Sequence, residues 1–189
     1  MILPIYAYGD PVLRKEAEEI DANYPNLKQL IADMYETMYA SHGVGLAAPQ
    51  IGLPIRLFVI DASPFLEEED DPKLPKEFKK TFINAFIINE EGKKWEFEEG
   101  CLSIPQIREN VSRHSKITIE YQDEDFNWHE EEYDDIIARI IQHEHDHTDG
   151  KLFVDYISPL KRRLLKGKLN DISSGRINVD YKMRFPVKK

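Results

Sequence analysis

Apolar side chains recur at helical spacing between Tyr24 and Ala40, at Leu27, Leu30, Ile31, Met34 and Met38, and this spacing predicts an amphipathic helix. Its end is expected at Ser41-His42-Gly43, where Gly43 can take the left-handed conformation of a helix terminus. The run Ile55 to Ile60 reads as a strand broken by Arg56. Phe82 to Asn89 is strand-like, as is Ile117 to Tyr121, whose apolar residues alternate with polar ones. Asp123 to Asn127 reads as a turn into a partner strand, Trp128 to Tyr133. A second helix is predicted from Asp134 or Asp135 to about Asp149, with acids at its start and Gly150 just past its end. A third, Pro159 to about Leu169, carries Lys161, Arg162, Arg163, Lys166 and Lys168. Ile177 to Phe185 alternates weakly, as a last edge strand would. Strands and helices do not alternate regularly, so the expected class is α+β, with mostly antiparallel sheets around a central helix.

Composition narrows the class. The chain has 189 residues, 41% of them hydrophobic and 32% charged, which suits a domain with its own core and neither disorder nor a membrane span. The single Cys excludes an internal disulfide framework and fits a reduced, cytoplasmic setting. Met1-Ile2-Leu3-Pro4 lacks the basic-then-apolar order of a secretory signal, so none is expected. The net charge of −10 is uneven: residues 1–150 carry 32 acids and 14 bases, a net −18, and residues 151–189 carry 3 acids and 11 bases, a net +8. The expected division is a catalytic body over 1–160 and a basic helix and tail over 161–189. Asp61 to Lys80, with three prolines and the acidic run Glu67 to Asp71, reads as a surface excursion.

The chemistry is concentrated in Gln142-His143-Glu144-His145-Asp146-His147, which contains His-Glu-x-x-His inside a predicted helix. At about 100° per residue, His143 and His147 lie about 40° apart, one turn above the other, and can ligate one metal ion. Glu144 projects beside them, placed to take a proton from a metal-bound water. His145 lies roughly 160–200° away and cannot share that metal. Ile136 and Ile140 fall on the same stripe and form an apolar floor leading to the metal. The motif arises by chance in roughly one chain of this length in a few hundred, so a third ligand is needed to support it. Cys101, in Glu98-Glu99-Gly100-Cys101-Leu102-Ser103-Ile104-Pro105, is the candidate; a free Cys is otherwise a small buried hydrophobe. Gly43-Val44-Gly45-Leu46-Ala47-Ala48-Pro49-Gln50 reads as a small-residue loop that lets backbone approach a ligand, with Gln50 offering an amide donor. His42, His114 and His129 show no ligand spacing.

These three segments, Gly43 to Gln50, Glu99 to Ser103 and His143 to His147, resemble in this order the motifs of the bacterial-type peptide deformylases. The resemblance implies that Cys101, His143 and His147 hold one divalent metal with water as fourth ligand. It also implies that Glu144 is the general base and then the acid, and that Gln50 and the Leu102 backbone N–H stabilise the oxyanion. The implied substrates are N-formylmethionyl nascent peptides and the implied metal is Fe(II), with zinc, nickel or cobalt able to occupy the same site. Val44, Ile136 and Ile140 would receive an unbranched apolar side chain such as methionine's, with Gly45 and Arg139 beside them. Two positions depart from the pattern. At both His145 and Arg139 relatives more often present an apolar residue; the first implies altered packing behind the ligands, and the second could line the pocket rim.

Two rivals use the same helix. A metallopeptidase would take its third ligand from a downstream His or Glu, and none follows Gly150. A metal-stabilised module that binds RNA through its tail would normally want four protein ligands, and the chain offers three good ones. The basic helix suggests docking on ribosomal RNA, with no DNA partner, no membrane and a monomer expected.

Overall fold

The computed structural model describes residues 1–68 and 75–186. Its elements are β1 (Ile5–Tyr6), α1 (Leu27–Ala40), β2 (Gly45–Ala47), β3 (Leu57–Asp61), α2 (Ser63–Glu68), β4 (Lys79–Cys101), β5 (Ile104–Gln122), β6 (Trp128–Asp134), α3 (Asp135–Thr148), α4 (Pro159–Ser173) and β7 (Met183–Arg184). A five-stranded antiparallel sheet runs β2-β3-β4-β5-β6, and β1 pairs in parallel with β7. The fold is therefore α+β and mostly antiparallel. No helix among the described residues is long and apolar enough to cross a membrane.

The sheet and helices enclose three apolar clusters. Phe58, Phe82, Ile117 and Ile119 pack against Ile137 and Ile141 of α3. Ile31, Met34 and Met38 of α1 cover Leu46, Leu57 and Val59. Leu169 and Ile172 of α4 join Ile104, Val111, Leu152 and Phe153, so the basic helix shares core with the body on the other side of residue 160.

Several boundaries differ from the sequence reading. α1 begins at Leu27 rather than Tyr24, because Tyr24 precedes Pro25 and the ring disfavours a helical conformation there. The left-handed residue ending α1 is His42, at φ 57°, and not Gly43. Gly43 answers a different need: a Cβ there would lie 2.8 Å from Leu102 Cδ1. The two short strands expected at 82–89 and 117–121 are parts of one long hairpin over Lys79–Gln122. Asn89 to Lys94 is exposed on both faces, so no apolar alternation marks it as strand. The expected strand 177–185 shortens to Met183–Arg184. The excursion over 61–80 contains α2, while most of its acidic run lies outside the described residues.

Candidate active site

Helix α3 packs one face under β2, β3 and β5 and presents His143 and His147 one turn apart, with ring centroids at 5.2 Å. The two-residue connection between β4 and β5, Leu102-Ser103, carries Cys101 to the same point. The potential ligand atoms of Cys101, His143 and His147 all lie within 4.8 Å of one another. Cys101 Sγ stands 3.4 Å from His147 Nε2. Burial holds His147 well below the usual imidazole range, which keeps it neutral, the form in which it can ligate.

One sulfur and two imidazoles suit a transition metal and leave a position open for a reacting molecule. Glu144 is buried beside them, and among the described residues its Oε2 has no hydrogen-bond partner. An acceptor stripped of water and aimed into a ligand cluster fits a bound ion and its ligand better than it fits a core packing role. Burial pushes the Glu144 carboxyl up to about 7. Gly45 is what admits this carboxylate: a Cβ there would lie 2.4 Å from Glu144 Oε1.

Behind the ligands lies a set of buried charges whose pairing the sequence did not show, although Glu99 and Asp146 lie within the segments singled out above. Glu99 Oε1 accepts from His143 Nδ1 at 2.8 Å, which places the ring proton on Nδ1 and leaves Nε2 for the metal. Glu99 also accepts from Arg113 at 2.8 and 3.1 Å and from Arg139 Nη1 at 2.8 Å. Arg113 continues to Asp146 at 2.7 Å. Burial disfavours the Glu99 carboxylate, but His143 and Arg113 outweigh it and hold the group far below the usual carboxylate range. Two signals were available: the strand period, which sets Glu99 on the same side as Phe97 and Trp95, and its place at the head of the Glu99 to Ser103 segment.

Arg139 borders the cavity, but not as an exposed rim residue. It is only 2% exposed, with its guanidinium stacked 4.6 Å from the Trp95 ring and donating to Trp95 O, Val111 O and Glu99. His145 points away from the ligands, as expected, and packs 3.4 Å from Arg56 Nη2 and from the Ile87 N–H. It is buried, and that burial lowers it to about 4. The packing around His145 is accordingly polar.

Gln50 sits in a single helical turn over Ala48–Ile51. Its Oε1 accepts from the Ala47 N–H at 2.9 Å, so its Nε2 faces Ser103 Oγ at 3.2 Å and Cys101 Sγ at 3.4 Å. The cavity over the ligands has a volume of about 770 Å³, and Val44, Gly45, Leu102, Ile136 and Ile140 all line it. Sequence reasoning missed several contributors here, among them two aromatic rings, His42 and the tail. Phe65 from α2 and Phe97 from β4 meet edge to face at 6.4 Å, His42 stands at the cavity, and the tail returns at 178–181. None of these has a local signal, because each reaches the cavity through chain folding.

The family model for polypeptide deformylase matches residues 2–163. A peptide deformylase of Christiangramia forsetii is 56% identical, covering 100% of this chain and 98% of its own. One of Flavobacterium johnsoniae is 58% identical over the same shares. The crystal structure of a peptide deformylase from Legionella pneumophila is 38% identical, with a TM-score of 0.78 over 93% of this chain and 98% of that one.

Proposed function

The chain belongs to the polypeptide deformylase family, and from that premise we propose that its site hydrolyses the formamide of N-formylmethionyl nascent peptides with Glu144 as general base. The observation that carries this reading is the buried, unpartnered Glu144 Oε2 beside the three converging donors. Cys101, His143 and His147 would hold the ion. The family resemblance favours Fe(II), and the same donors suit zinc, nickel or cobalt. When bound, such an ion supplies Lewis acidity, which acidifies water and polarises a carbonyl.

The protein groups do the rest. Glu144 takes a proton from the attacking water as its oxygen adds to the formyl carbon, and passes it to the amine nitrogen as the C–N bond breaks, releasing formate. A base near 7 suits both transfers. Gln50 Nε2 and the Leu102 N–H meet the charge developing on the formyl oxygen, each worth about 2.7–4 kcal/mol by analogy with other oxyanion donors. Val44, Ile136 and Ile140, with Gly45 and the stem of Arg139, receive the methionine side chain. The reaction belongs in the cytoplasm, where nascent chains emerge, and a monomer suffices for it because every group named comes from one chain.

Incubation with a formyl-Met peptide and with its unblocked counterpart tests this. Formate from the first, with both peptide backbones intact, is expected. Cleavage of the unblocked peptide would instead support a metallopeptidase. The exposed cations Lys161, Arg162, Arg163, Lys166 and Lys168 on α4 support a second element of the reading, docking on ribosomal RNA.

A further inference from the structure

The connection that supplies both Cys101 and the Leu102 N–H is tied down from three directions. The Tyr8 N–H donates to Ser103 O at 2.8 Å, Gln50 Nε2 reaches Ser103 Oγ, and Tyr181 Oη donates to Leu102 O at 2.8 Å. The first two ties come from the body. The third comes from the tail, beyond the basic helix and outside the 2–163 span of the family match. Residues 178–181 line the cavity itself, and the Tyr181 ring packs half-buried against the cluster beneath α1. Ile5 and Ala7 of the body accept this segment, with the Ile5 N–H on Lys182 O and the Ala7 N–H on Arg184 O, both at 2.9 Å. The tail is thus anchored immediately after Tyr181.

We propose that Tyr181 is a positioning residue for the deformylation reaction: by holding the Leu102 carbonyl it fixes the Leu102–Ser103 peptide, and through the Leu102 dihedrals it limits the tilt of the preceding peptide, whose N–H is the one offered to the formyl oxygen. The inference rests on the oxyanion role given to Leu102 above. The Cys101–Ile104 pairing closes the connection, and its peptide groups outside the ladder take their partners from elsewhere in the chain, which also orients them. Loss of one neutral hydrogen bond that aims a donor is expected to slow turnover about five- to tenfold. Because the tie acts on charge development, its loss should fall on kcat and leave KM nearly unchanged.

The test is Tyr181→Phe, which keeps the packed ring and removes only the hydroxyl, in the full-length metal-loaded chain. It is assayed on formyl-Met and thioformyl-Met forms of one peptide. Thioformyl sulfur is a weak acceptor and gains little from an aimed N–H. The expected result is a kcat five- to tenfold lower on the formyl substrate, a loss of twofold or less on the thioformyl substrate, and unchanged metal content and Tm. An unaltered kcat, or an equal loss on both substrates, overturns the positioning role. If the wild-type chain releases no formate at all, the underlying reading fails instead.

Discussion

Helices α3 and α4 are both rich in charged residues and put them to opposite uses. On α3, Arg139, Glu144 and Asp146 are all buried, and among the described residues Arg139 and Asp146 meet a charged partner within hydrogen-bond distance while Glu144 Oε2 meets none. On α4, Lys161, Arg162, Arg163, Lys166 and Lys168 face solvent, and the helix is held by Leu169 and Ile172 alone among its fully buried residues. A charge taken out of water must be paired or it unfolds its surroundings, so pairing on α3 also fixes orientation. A charge left in water needs no partner and contributes only to the field around the molecule. Geometry-dependent chemistry therefore lives on α3, and any recognition by α4 should be long-range and sensitive to salt.

The sharpest way to probe this contrast is Glu144→Gln, the buried acid whose Oε2 has no partner among the described residues. Turnover should fall by about 10²–10⁴-fold while metal content, measured by mass spectrometry, stays at the wild-type level. Retained activity would remove Glu144 as the base. Cys101→Ala should strip metal from the purified protein, and an unchanged stoichiometry would exclude Cys101 as a ligand. Glu99→Gln leaves His143 with a weaker acceptor and Arg113 and Arg139 without their shared carboxylate. Metal affinity should drop about 10–100-fold and denaturant stability with it, as titrated with a competing chelator.

On α4 the same kind of substitution should barely register in stability. Lys166→Glu with Lys168→Glu is expected to change unfolding free energy by less than about 0.5 kcal/mol. If the proposed docking holds, the wild type co-sediments with ribosomes, less so as salt rises from about 50 to 200 mM, and the same pair should abolish that association. Loss of stability without loss of binding would reverse the contrast. The smallest effect belongs to Asp123 in the turn before β6. Its hydrogen bond from His129, and then those from the Asn127 and Asp125 N–H groups, lower it to about 2 from an ordinary 3.8. A depressed carboxylate stabilises the fold fully above about 3.8 and loses that contribution as pH falls towards 2. Asp123→Asn should therefore flatten the acid limb of a Tm-against-pH curve over that window and leave neutral pH almost untouched.

How much of the site was readable follows from the range of the interactions. His143, Glu144, His147 and the opposed His145 were placed by the sequence alone, because a helix relates neighbours by a fixed rotation. Ile136 and Ile140 followed from the same rotation, and both line the cavity. Arg139, close to that stripe, was read as able to line the pocket rim, and it lines the cavity from a buried position that the sequence did not show. What draws it inward is Trp95, Val111 and Glu99, all on the β4–β5 hairpin, and that hairpin was itself only half visible. Its charged outer stretch buries no face, and without a buried face strands carry no period to read.

Local order along the chain thus determined the α+β class, the face of α3 that bears the chemistry, and the split between an acidic body and a basic end. The sites where distant segments meet were decided by tertiary structure. Cys101 joins the histidines only because a two-residue connection ends a hairpin above α3. Glu99 orients His143 only because it lies on the strand beside it. Tyr181 reaches Leu102 only because the tail turns back to pair with β1. Periodicity encodes how a segment presents its side chains to one side, but the partner on that side is chosen by sheet register and packing, and these depend on the whole chain at once.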